Sequence, residues 1–445
     1  MSYQQTIEYL FGLQKHGVKL GLSNSALLMG LMGDPHLRFR SVHIAGTNGK
    51  GSTSAYLARM LQNAGYRTGL YTSPHLVSFT ERIRVNGTPI SEAKVVELAA
   101  RVRERVAGVV AAPGRGPVSP TFFEVTTAVA FEFFAGEHVD IAVVEVGMGG
   151  RLDSTNVITP LVSVITNIDL EHTEFLGTTI PQIAGEKAGI IKSRVPVVTG
   201  AVQRDALDVI EAEARRLGAP VYCMPADFQA KNTLSGKAQT FDYRGIGRSL
   251  QGLRISMLGR HQVGNACLAL AAAECLQSAE LSLPESAMRS GLEQAAWEGR
   301  LELISPEPDI YLDGAHNPAS ARVLADALGD LRPSYGKLVL VLGILSDKDH
   351  RGIIGPLAGF ADHVIVTRPE YARAMNVQEL AREVRSIHGS VEAVDTVSAA
   401  IAAARSRAGV GDCIVITGSL YTVGEARALL ASCPGAGSSL AGLKG

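Results

Sequence analysis

Stretches of apolar, β-branched residues alternate with stretches of helical periodicity along most of the chain. The clearest strand patterns cover Ser41–Ala45, Ile141–Val146, Leu161–Ile168, Val195–Thr199, Ile310–Leu312, Lys337–Leu342, His363–Thr367 and Cys413–Thr417. Helical patterns lie between them, at Ser52–Ala64, Phe122–Ala135, Asn265–Leu276 and Ala319–Leu328. Strands that are apolar on both faces are typical of a parallel sheet covered by helices. The alternation therefore predicts an α/β fold.

The pattern changes between Thr233 and Arg254, where the chain becomes polar and glycine-rich and a small antiparallel hairpin is expected. The strand–helix alternation restarts after the Trp297–Arg300 stretch. We place a domain boundary near residue 297, which gives an N-terminal domain of residues 1–297 and a C-terminal domain of residues 298–433. Most of residues 434–445 are small, and we expect a flexible tail there.

Composition narrows the class of protein. The chain has 445 residues, of which 46% are hydrophobic and 19% charged, so it can bury sizeable cores. Its formal net charge of −1 disfavours a nucleic-acid backbone as the main partner. The five cysteines form no CxxC pair, which disfavours disulfides and zinc and fits a reducing cytoplasm. No apolar run approaches the length of a membrane span, and the N-terminus lacks the pattern of a signal peptide.

The strongest local signal is the segment His43–Thr53, HIAGTNGKGST, which follows a strand pattern and opens a helix pattern. Its glycines let several backbone N–H groups face one anion, and the helix N-terminus adds partial positive charge. Lys50 can reach a β- or γ-phosphate, and a hydroxyl of Ser52 or Thr53 can meet Mg²⁺. The spacing departs from the usual Walker pattern, yet the strand–loop–helix context favours a phosphate site.

Candidate metal ligands follow the next strand patterns. Glu145 ends an apolar strand, where a nucleotide-binding fold holds magnesium directly or through water. His172 follows the strand Leu161–Ile168 and can ligate a metal or take a proton. Lys187 reads from spacing alone as a surface lysine.

In the second half, Asp313 and His316 follow the strand pattern Ile310–Leu312. They emerge either at a functional sheet edge or in a turn whose polar side chains cap the backbone. No second phosphate loop is present, so this domain is expected to supply groups to a nucleotide held by the first, at a cleft between domains. NKxD, G-x-S-x-G, HExxH and kinase signatures are absent from the sequence. The residues alone therefore predict a two-domain Mg-nucleotide enzyme of unknown substrate.

Nine short motifs in order resemble one family over nearly the whole chain. They are GTNGKGS at 46–52, TSPHL at 72–76, ERIRV at 81–85, EVGMGGRLDSTN at 145–156, DLEHTEFLG at 169–177, EKAGIIK at 186–192, GRHQVGNA at 259–266, GRLE at 299–302 and DGAHNP at 313–318. This combination resembles folylpolyglutamate synthase/dihydrofolate synthase, a family of the Mur ligase superfamily. The resemblance implies a P-loop domain with a parallel sheet and a smaller Rossmann-like ligase domain, acting as a cytoplasmic monomer.

The resemblance also implies an activity: ATP phosphorylates a pterin-linked carboxylate, and the amine of L-glutamate displaces phosphate from the acyl phosphate. Such a transfer depends on positioning and charge neutralisation. The implied site residues fall into three groups. Contacts to ATP come from Thr47, Asn48, Gly49, Lys50, Gly51, Ser52, Asn265, Arg300 and Asp313, with His316 beside them. Ligands to Mg²⁺ are Ser73, Glu145, His172 and a carbamylated Lys187. The pterin site comprises Phe122, Phe123 and Glu124, with Arg151 and Asp153 near the same pocket.

Several alternatives stay open at this point. Phe131, Phe133 and Phe134 fit the helix core better than a ligand site. The family includes enzymes that only extend folates and enzymes that also make dihydrofolate; we favour the bifunctional activity. A Mur-type peptide ligase with a UDP-sugar substrate is disfavoured, because only 45 residues precede Gly46. The remaining alternative is a nucleotide-binding module without ligase chemistry.

Overall fold

The computed structural model describes residues 1–17, 21–110, 119–234, 239–277, 279 and 281–431. The chain forms two compact units. The first consists of Met1–Thr233, Phe241–Arg254 and Gly264–Ala295, and the second of Leu234–Thr240, Ile255–Val263 and Ala296–Gly445. Two short segments that precede residue 264 thus group with the second unit. The tail predicted at 434–445 lies outside the described residues.

The first unit is built on a sheet that has eight strands in the described part of the chain. They are β1 Arg40–Ala45, β2 Thr68–Tyr71, β3 Ile83–Val85, β4 Thr88–Pro89, β5 Ile141–Glu145, β6 Val162–Ile165, β7 Val197–Thr199 and β8 Val221–Cys223. The strand order is β4-β3-β2-β5-β1-β6-β7-β8. Strands β2, β5, β1, β6, β7 and β8 run parallel, while β3 and β4 add an antiparallel edge.

Helices cover this sheet and bury its central strands. They are α1 Tyr3–Gly12, α2 Ser23–Leu31, α3 Lys50–Asn63, α4 Glu92–Val110, α5 Phe122–Gly136, α6 Thr173–Leu176, α7 Ile180–Ala188, α8 Arg204–Leu217, α9 Arg260–Gln277 and α10 Glu285–Gln294. Every residue of β5 is buried, as the two-sided apolar pattern predicts. Phe131, Phe133 and Phe134 of α5 are buried in one cluster, which confirms their assignment to the core.

A small sheet occupies the polar stretch where a hairpin is predicted. Its strands are β9 Gln229–Leu234, β10 Gln239–Arg244 and β11 Ser249–Ile255, with β10 in the middle. Residues 235–238 between β9 and β10 lie outside the described residues.

The second unit carries a sheet of six described strands. They are β12 Glu302–Ser305, β13 Asp309–Leu312, β14 Leu338–Leu342, β15 His363–Val366, β16 Val391–Ala393 and β17 Cys413–Thr417, in the order β12-β13-β17-β14-β15-β16. Only β12 is antiparallel to its neighbour among these strands of the described chain. The helices are α11 Pro318–Leu331, α12 His350–Ala358, α13 Val377–Arg385, α14 Val397–Arg407 and α15 Leu420–Ala431. The predicted α/β class is confirmed, with a parallel-rich sheet in the first unit and a separate mixed sheet in the second.

Candidate nucleotide and substrate site

The turn between β1 and α3, residues Gly46–Gly49, is called the glycine loop below. Two of its backbone positions need glycine. Gly46 has φ +147°, and a Cβ there would lie 1.8 Å from Thr166 Oγ1. Gly49 has φ +84°, and a Cβ there would lie 2.4 Å from Asn265 Oδ1. The predicted nucleotide contact Asn265 therefore packs directly against the loop.

The neighbouring strand β6 holds the glycine loop in place. Backbone Thr47 N–H donates to Asn167 O at 3.0 Å, and Asn48 N–H donates to Asn167 Oδ1 at 2.8 Å. Thr166 Oγ1 donates to Asn48 O at 2.6 Å, and Thr47 Oγ1 donates to Asp169 O at 3.1 Å. The apolar pattern predicts a strand that continues to Ile168, but β6 ends at Ile165. These hydrogen bonds explain the difference. Residues 166–169 turn toward the loop instead of continuing the strand.

The contacts divide the predicted phosphate-binding residues into two kinds. The amides of Thr47 and Asn48 are engaged by Asn167. The amides of Lys50, Gly51 and Ser52 open α3, where N–H groups have no partner within the helix. The first turn of α3 thus offers amides that can bind an anion, together with the partial positive charge of a helix start.

Lys50 is the first residue of α3, and its ammonium lies on the glycine loop. Nζ donates to Gly46 O at 2.8 Å and to Thr47 O at 2.9 Å. The positive charge is therefore held where the backbone amides converge. A lysine in this place can neutralise a transferring phosphoryl group.

Glu145 and Ser73 meet at the carboxyl ends of neighbouring strands. Glu145 is the last residue of β5 and is buried, and its Oε2 accepts from Ser73 N–H at 3.2 Å. Ser73 follows β2, which pairs with β5 on the side opposite to β1. A buried carboxylate beside a hydroxyl and a phosphate loop suits Mg²⁺, which is often bound by one or two carboxylates plus substrate phosphates.

Lys187, in the last turn of α7, is 1% exposed, so the surface interpretation based on spacing is wrong. The pKa of its amine is lowered to about 7, chiefly by burial and also by the positive charge of Lys50, while Glu171 opposes the shift. The two lysines and Glu171 thus lie in one electrostatic neighbourhood. A lysine with such a pKa is substantially neutral near pH 7 and can react as an amine.

His172 follows Glu171 in a left-handed backbone conformation, with φ 48°. The two side chains approach to 3.7 Å between His172 Nε2 and Glu171 Oε1. Among the described residues, no group of three or more His, Cys, Asp or Glu side chains is arranged to hold a metal by itself. A metal here would need additional ligands, such as the Ser73 hydroxyl or phosphate oxygens.

Phe122, Phe123 and Glu124 open α5, and the structure gives them different surroundings. The Phe123 ring stacks on Tyr71 with centroids 5.9 Å apart, and a Cβ at Gly147 would lie 2.5 Å from it. Phe122 stacks on Phe11 at 5.4 Å, under the guanidinium of Arg82. Glu124 caps its own helix, because its Oε2 accepts from Thr121 N–H at 2.6 Å.

Asp153 and Arg151 stabilise the loop that follows β5. The buried Asp153 carboxylate accepts from Met148 N–H at 2.9 Å and from Thr155 N–H at 3.0 Å. Burial raises the pKa of Asp153, and these hydrogen bonds oppose the shift. Arg151 forms an ion pair with Glu186 at 2.7 Å and is half-exposed. Both residues thus have a structural partner in addition to any role toward a pterin.

The second unit brings Arg300, Asp313 and His316 together. Asp313 follows β13 and is buried; its carboxylate accepts from Leu301 N–H and Ala315 N–H, each at 2.9 Å. Burial raises the pKa of Asp313, whereas the nearby positive charge of Arg300 lowers it. His316 Nδ1 donates to Gly314 O at 2.8 Å, which leaves Nε2 as the acceptor of the neutral ring.

Sequence reasoning missed the residues that hold these groups in place. Asn167 and Thr166 interlock with the glycine loop, although nothing in their local pattern marks them. Glu81 and Arg82 belong to the quoted motif ERIRV but had no assigned role. The only available signal was their place in the chain: Thr166 and Asn167 directly follow β6, which pairs with β1, and Glu81 and Arg82 directly precede β3, which pairs with β2.

Comparisons with known proteins agree with this geometry. Residues 44–273 match the Mur ligase middle domain, and residues 299–420 match the Mur ligase glutamate ligase domain. The fold and the site therefore define a Mur ligase. The chain is 39% identical over 431 residues to the dihydrofolate synthase/folylpolyglutamate synthase of Bacillus subtilis, covering 96% of this chain and 98% of that protein. The chain belongs to the dihydrofolate synthase/folylpolyglutamate synthase family.

Two solved structures are similar over nearly the whole chain. Mycobacterium tuberculosis folylpolyglutamate synthase complexed with ADP has a TM-score of 0.89 at 36% identity, covering 97% of this chain and 100% of that one. Escherichia coli FolC in complex with DHPP and ADP has a TM-score of 0.87 at 30% identity, covering 97% and 98%. Within the described residues, no helix is long and apolar enough to cross a bilayer.

Proposed function

We propose that this protein is a bifunctional, ATP-dependent ligase that adds L-glutamate to dihydropteroate and to reduced folates. The observation that carries the proposal is the glycine loop with Lys50, placed between Glu145 on one side and the Thr166–Asp169 turn on the other. Relatives with this architecture bind ADP, and one of them binds DHPP with ADP. The same interpretation assigns ATP binding to residues 1–297 and the ligase domain to residues 298–433, in line with the family matches.

In the proposed mechanism, the substrate carboxylate attacks the γ-phosphorus of ATP, the bond to the β-phosphate oxygen breaks, and ADP leaves. The glutamate amine then attacks the acyl carbon, loses a proton and expels inorganic phosphate. Lys50 and the amides of Gly51 and Ser52 stabilise charge on the phosphoryl oxygens during the first step. Asn265, Arg300, Asp313 and His316 are assigned to nucleotide and substrate orientation.

Magnesium fits the donor set of the first unit. Ser73, Glu145, His172 and a carbamylated Lys187 would hold it, and when bound it would neutralise phosphate charge. The neutral Lys187 amine supports this assignment, because its nitrogen can add CO₂ to give a carbamate and release one proton. The product is an anionic oxygen ligand on a side chain that would otherwise repel the metal.

Among the residues proposed for the pterin site, Phe123 has the surroundings that best suit stacking on a pterin ring. Its ring lies against Gly147 and Tyr71 at the loop that follows β5. Phe122, Glu124, Arg151 and Asp153 would shape the same pocket through the contacts described above. A planar aromatic ligand gains from stacking on such a ring. We further propose a cytoplasmic monomer; the cysteines in the described part of the chain are free thiols.

The test is phosphate release by the purified protein, with the product identified by mass spectrometry. Release should require ATP, Mg²⁺, L-glutamate and a pterin substrate together. Dihydropteroate and tetrahydrofolate should both yield a product heavier by one glutamyl group. Activity with tetrahydrofolate alone would show a monofunctional folylpolyglutamate synthase, and release that ignores the pterin would contradict the proposal.

A further inference from the structure

The segment Ser73–Arg82, between β2 and β3, links the two halves of the proposed site in the first unit. Its start contacts Glu145, through Ser73 N–H at 3.2 Å. Its end carries Phe79, which packs edge-on against Phe122 with centroids 6.3 Å apart. The conformation of this segment therefore sets where a proposed metal ligand and a proposed pterin-side ring lie relative to each other.

Glu81 fixes the middle of the segment by bonding to three consecutive backbone amides. Its Oε2 accepts from Leu76 N–H at 2.8 Å, and its Oε1 accepts from Ser78 N–H at 2.9 Å. Val77 N–H lies between the two oxygens, at 3.2 Å from Oε1 and 3.4 Å from Oε2. Hydrogen bonds to an ionised acceptor are shorter and stronger than neutral ones. One carboxylate thus closes the loop on itself.

Arg82 adds a second cross-link over the same loop. Its Nε–H donates to His75 Nδ1 at 2.7 Å, so the proton of the neutral His75 ring is on Nε2. The Arg82 guanidinium is buried and lies 5.2 Å from the centroid of Phe122 and 6.0 Å from that of Phe79. The arginine therefore ties the loop to the aromatic rings, while Glu81 sets the shape of the loop.

We propose that Glu81 is a positioning residue that holds Ser73 beside Glu145 and Phe79 beside Phe122, and so couples the ATP side of the site to the pterin side. This inference rests on the proposed function, which assigns Ser73 and Phe122 to ligands. It predicts that one substitution, at a residue outside the proposed ligand contacts, weakens the binding of both ATP·Mg²⁺ and the pterin substrate.

The experiment compares Glu81→Gln and Glu81→Ala with the wild type and with Glu97→Gln. Glu97 is an exposed glutamate on α4 that forms an ion pair with Lys94, three residues earlier, at 2.9 Å, which makes it a matched control. Two quantities are measured: amide hydrogen exchange of residues 76–78 without ligand, and the Kd values for ATP·Mg²⁺ and for dihydropteroate by calorimetry.

In Glu81→Ala we expect faster exchange at residues 76–78 and a rise of about tenfold in both Kd values, the scale set by losing hydrogen bonds to a charged group. Glu81→Gln retains one acceptor oxygen, so its exchange rates and Kd values should lie between those of Glu81→Ala and those of the wild type. Glu97→Gln should change neither quantity. If Glu81→Ala does not fold, Glu81→Gln supplies the comparison.

Two results would overturn the proposal. One is faster exchange with both Kd values unchanged, since the position of the loop would then not matter to the ligands. The other is weaker binding with unchanged exchange at residues 76–78. A wild-type protein that binds no dihydropteroate would count against the proposed function instead, and the exchange data would still report on whether Glu81 closes the loop.

Discussion

One parallel strand in each unit, β1 in the first and β13 in the second, ends in a different way, although both units have an α/β fold. After β1 in the first unit, the backbone turns through glycines, and neighbouring strands supply the side chains that hold it. After β13 in the second unit, Asp313 uses its two carboxylate oxygens on the backbone of Leu301 and Ala315. A parallel strand end is thus a place where a ligand site can form. The residues that follow the strand determine what forms at its end. Glycines can leave backbone amides open to an anion, whereas an aspartate such as Asp313 can accept hydrogen bonds from the backbone around it.

The largest expected effect comes from removing the ammonium group of Lys50, in the first unit. Lys50→Ala should lower kcat by at least ~100-fold, because the positive charge that stabilises the transferring phosphoryl group is lost. Steady-state kinetics with ATP and dihydropteroate would measure this effect. Lys94→Ala, at an exposed lysine of α4, is the control and should behave like the wild type. Near-normal turnover of Lys50→Ala would remove the loop ammonium from the mechanism.

Lys187 offers a test of the electrostatics beside the loop. Its folded-state pKa of about 7 lies below the ordinary value of 10.5, so between these values the unfolded chain binds the extra proton. The free energy of unfolding should therefore rise with pH in this window, by about 2 kcal/mol from pH 7 to pH 9. Below pH 7 both states are protonated and this contribution stays constant.

Lys187→Met should flatten that rise, since it keeps the buried chain without an ionisable group. Urea unfolding in CO₂-free buffers at pH 7, 8 and 9 would give the slopes. Lys94→Met should retain the wild-type slope. An equal slope in Lys187→Met would show that the burial of this lysine does not govern the pH dependence.

Alanine substitutions at two glycines of similar backbone conformation distinguish the effect of backbone strain from the effect of a steric clash in the glycine loop. Gly49 has φ +84° and a Cβ there would lie 2.4 Å from Asn265 Oδ1, whereas Gly65 has φ +94° with nothing within 4 Å. Either change to alanine should cost about 1–2 kcal/mol of backbone strain. Only Gly49→Ala should also displace Asn265 and weaken ATP binding, about tenfold if one hydrogen bond is lost. Equal ATP affinities in the two variants would contradict the crowding argument.

The smallest expected effect lies in the second unit. Asp313→Asn keeps one acceptor and places an amide NH₂ against a backbone N–H, so it should lower the free energy of unfolding by about 1 kcal/mol. Asp330→Asn, in an exposed ion pair with Arg260, is the control and should change stability less. Denaturant unfolding measures both. An unchanged free energy of unfolding in Asp313→Asn would show that these two backbone hydrogen bonds do not stabilise the turn; the KM for ATP tests the proposed nucleotide role of Asp313 separately.

The parts predicted from sequence were those with a local signal. The strand, glycines, lysine and helix of 40–63 stand next to each other in the chain, so their pattern carries the phosphate site. Glu145 was also visible, as an acid at the end of an apolar run. The family resemblance added Ser73 and Lys187, which spacing alone could not assign.

The residues that spacing alone could not assign depend on strand order and packing, which no local pattern encodes. Asn167 matters because β6 pairs with β1, and Ser73 because β2 pairs with β5. The burial of Lys187 follows from the packing of α7, and the three amides on Glu81 follow from the fold of one loop. The strand predicted to Ile168 ended at Ile165, because Thr166 and Asn167 hydrogen bond across to a loop more than a hundred residues earlier.

That strand order has a consequence for how the molecule reaches its native state. The sheet places β1 between β5 and β6, so the phosphate-binding turn is complete only after segments separated by a hundred or more residues have paired. Such non-local pairing is slow compared with helix formation, because a long stretch of chain must close before any contact forms. A nascent or fragmentary chain would therefore contain the whole glycine motif and still bind no nucleotide. Affinity for ATP should arrive late in folding, together with the closed sheet.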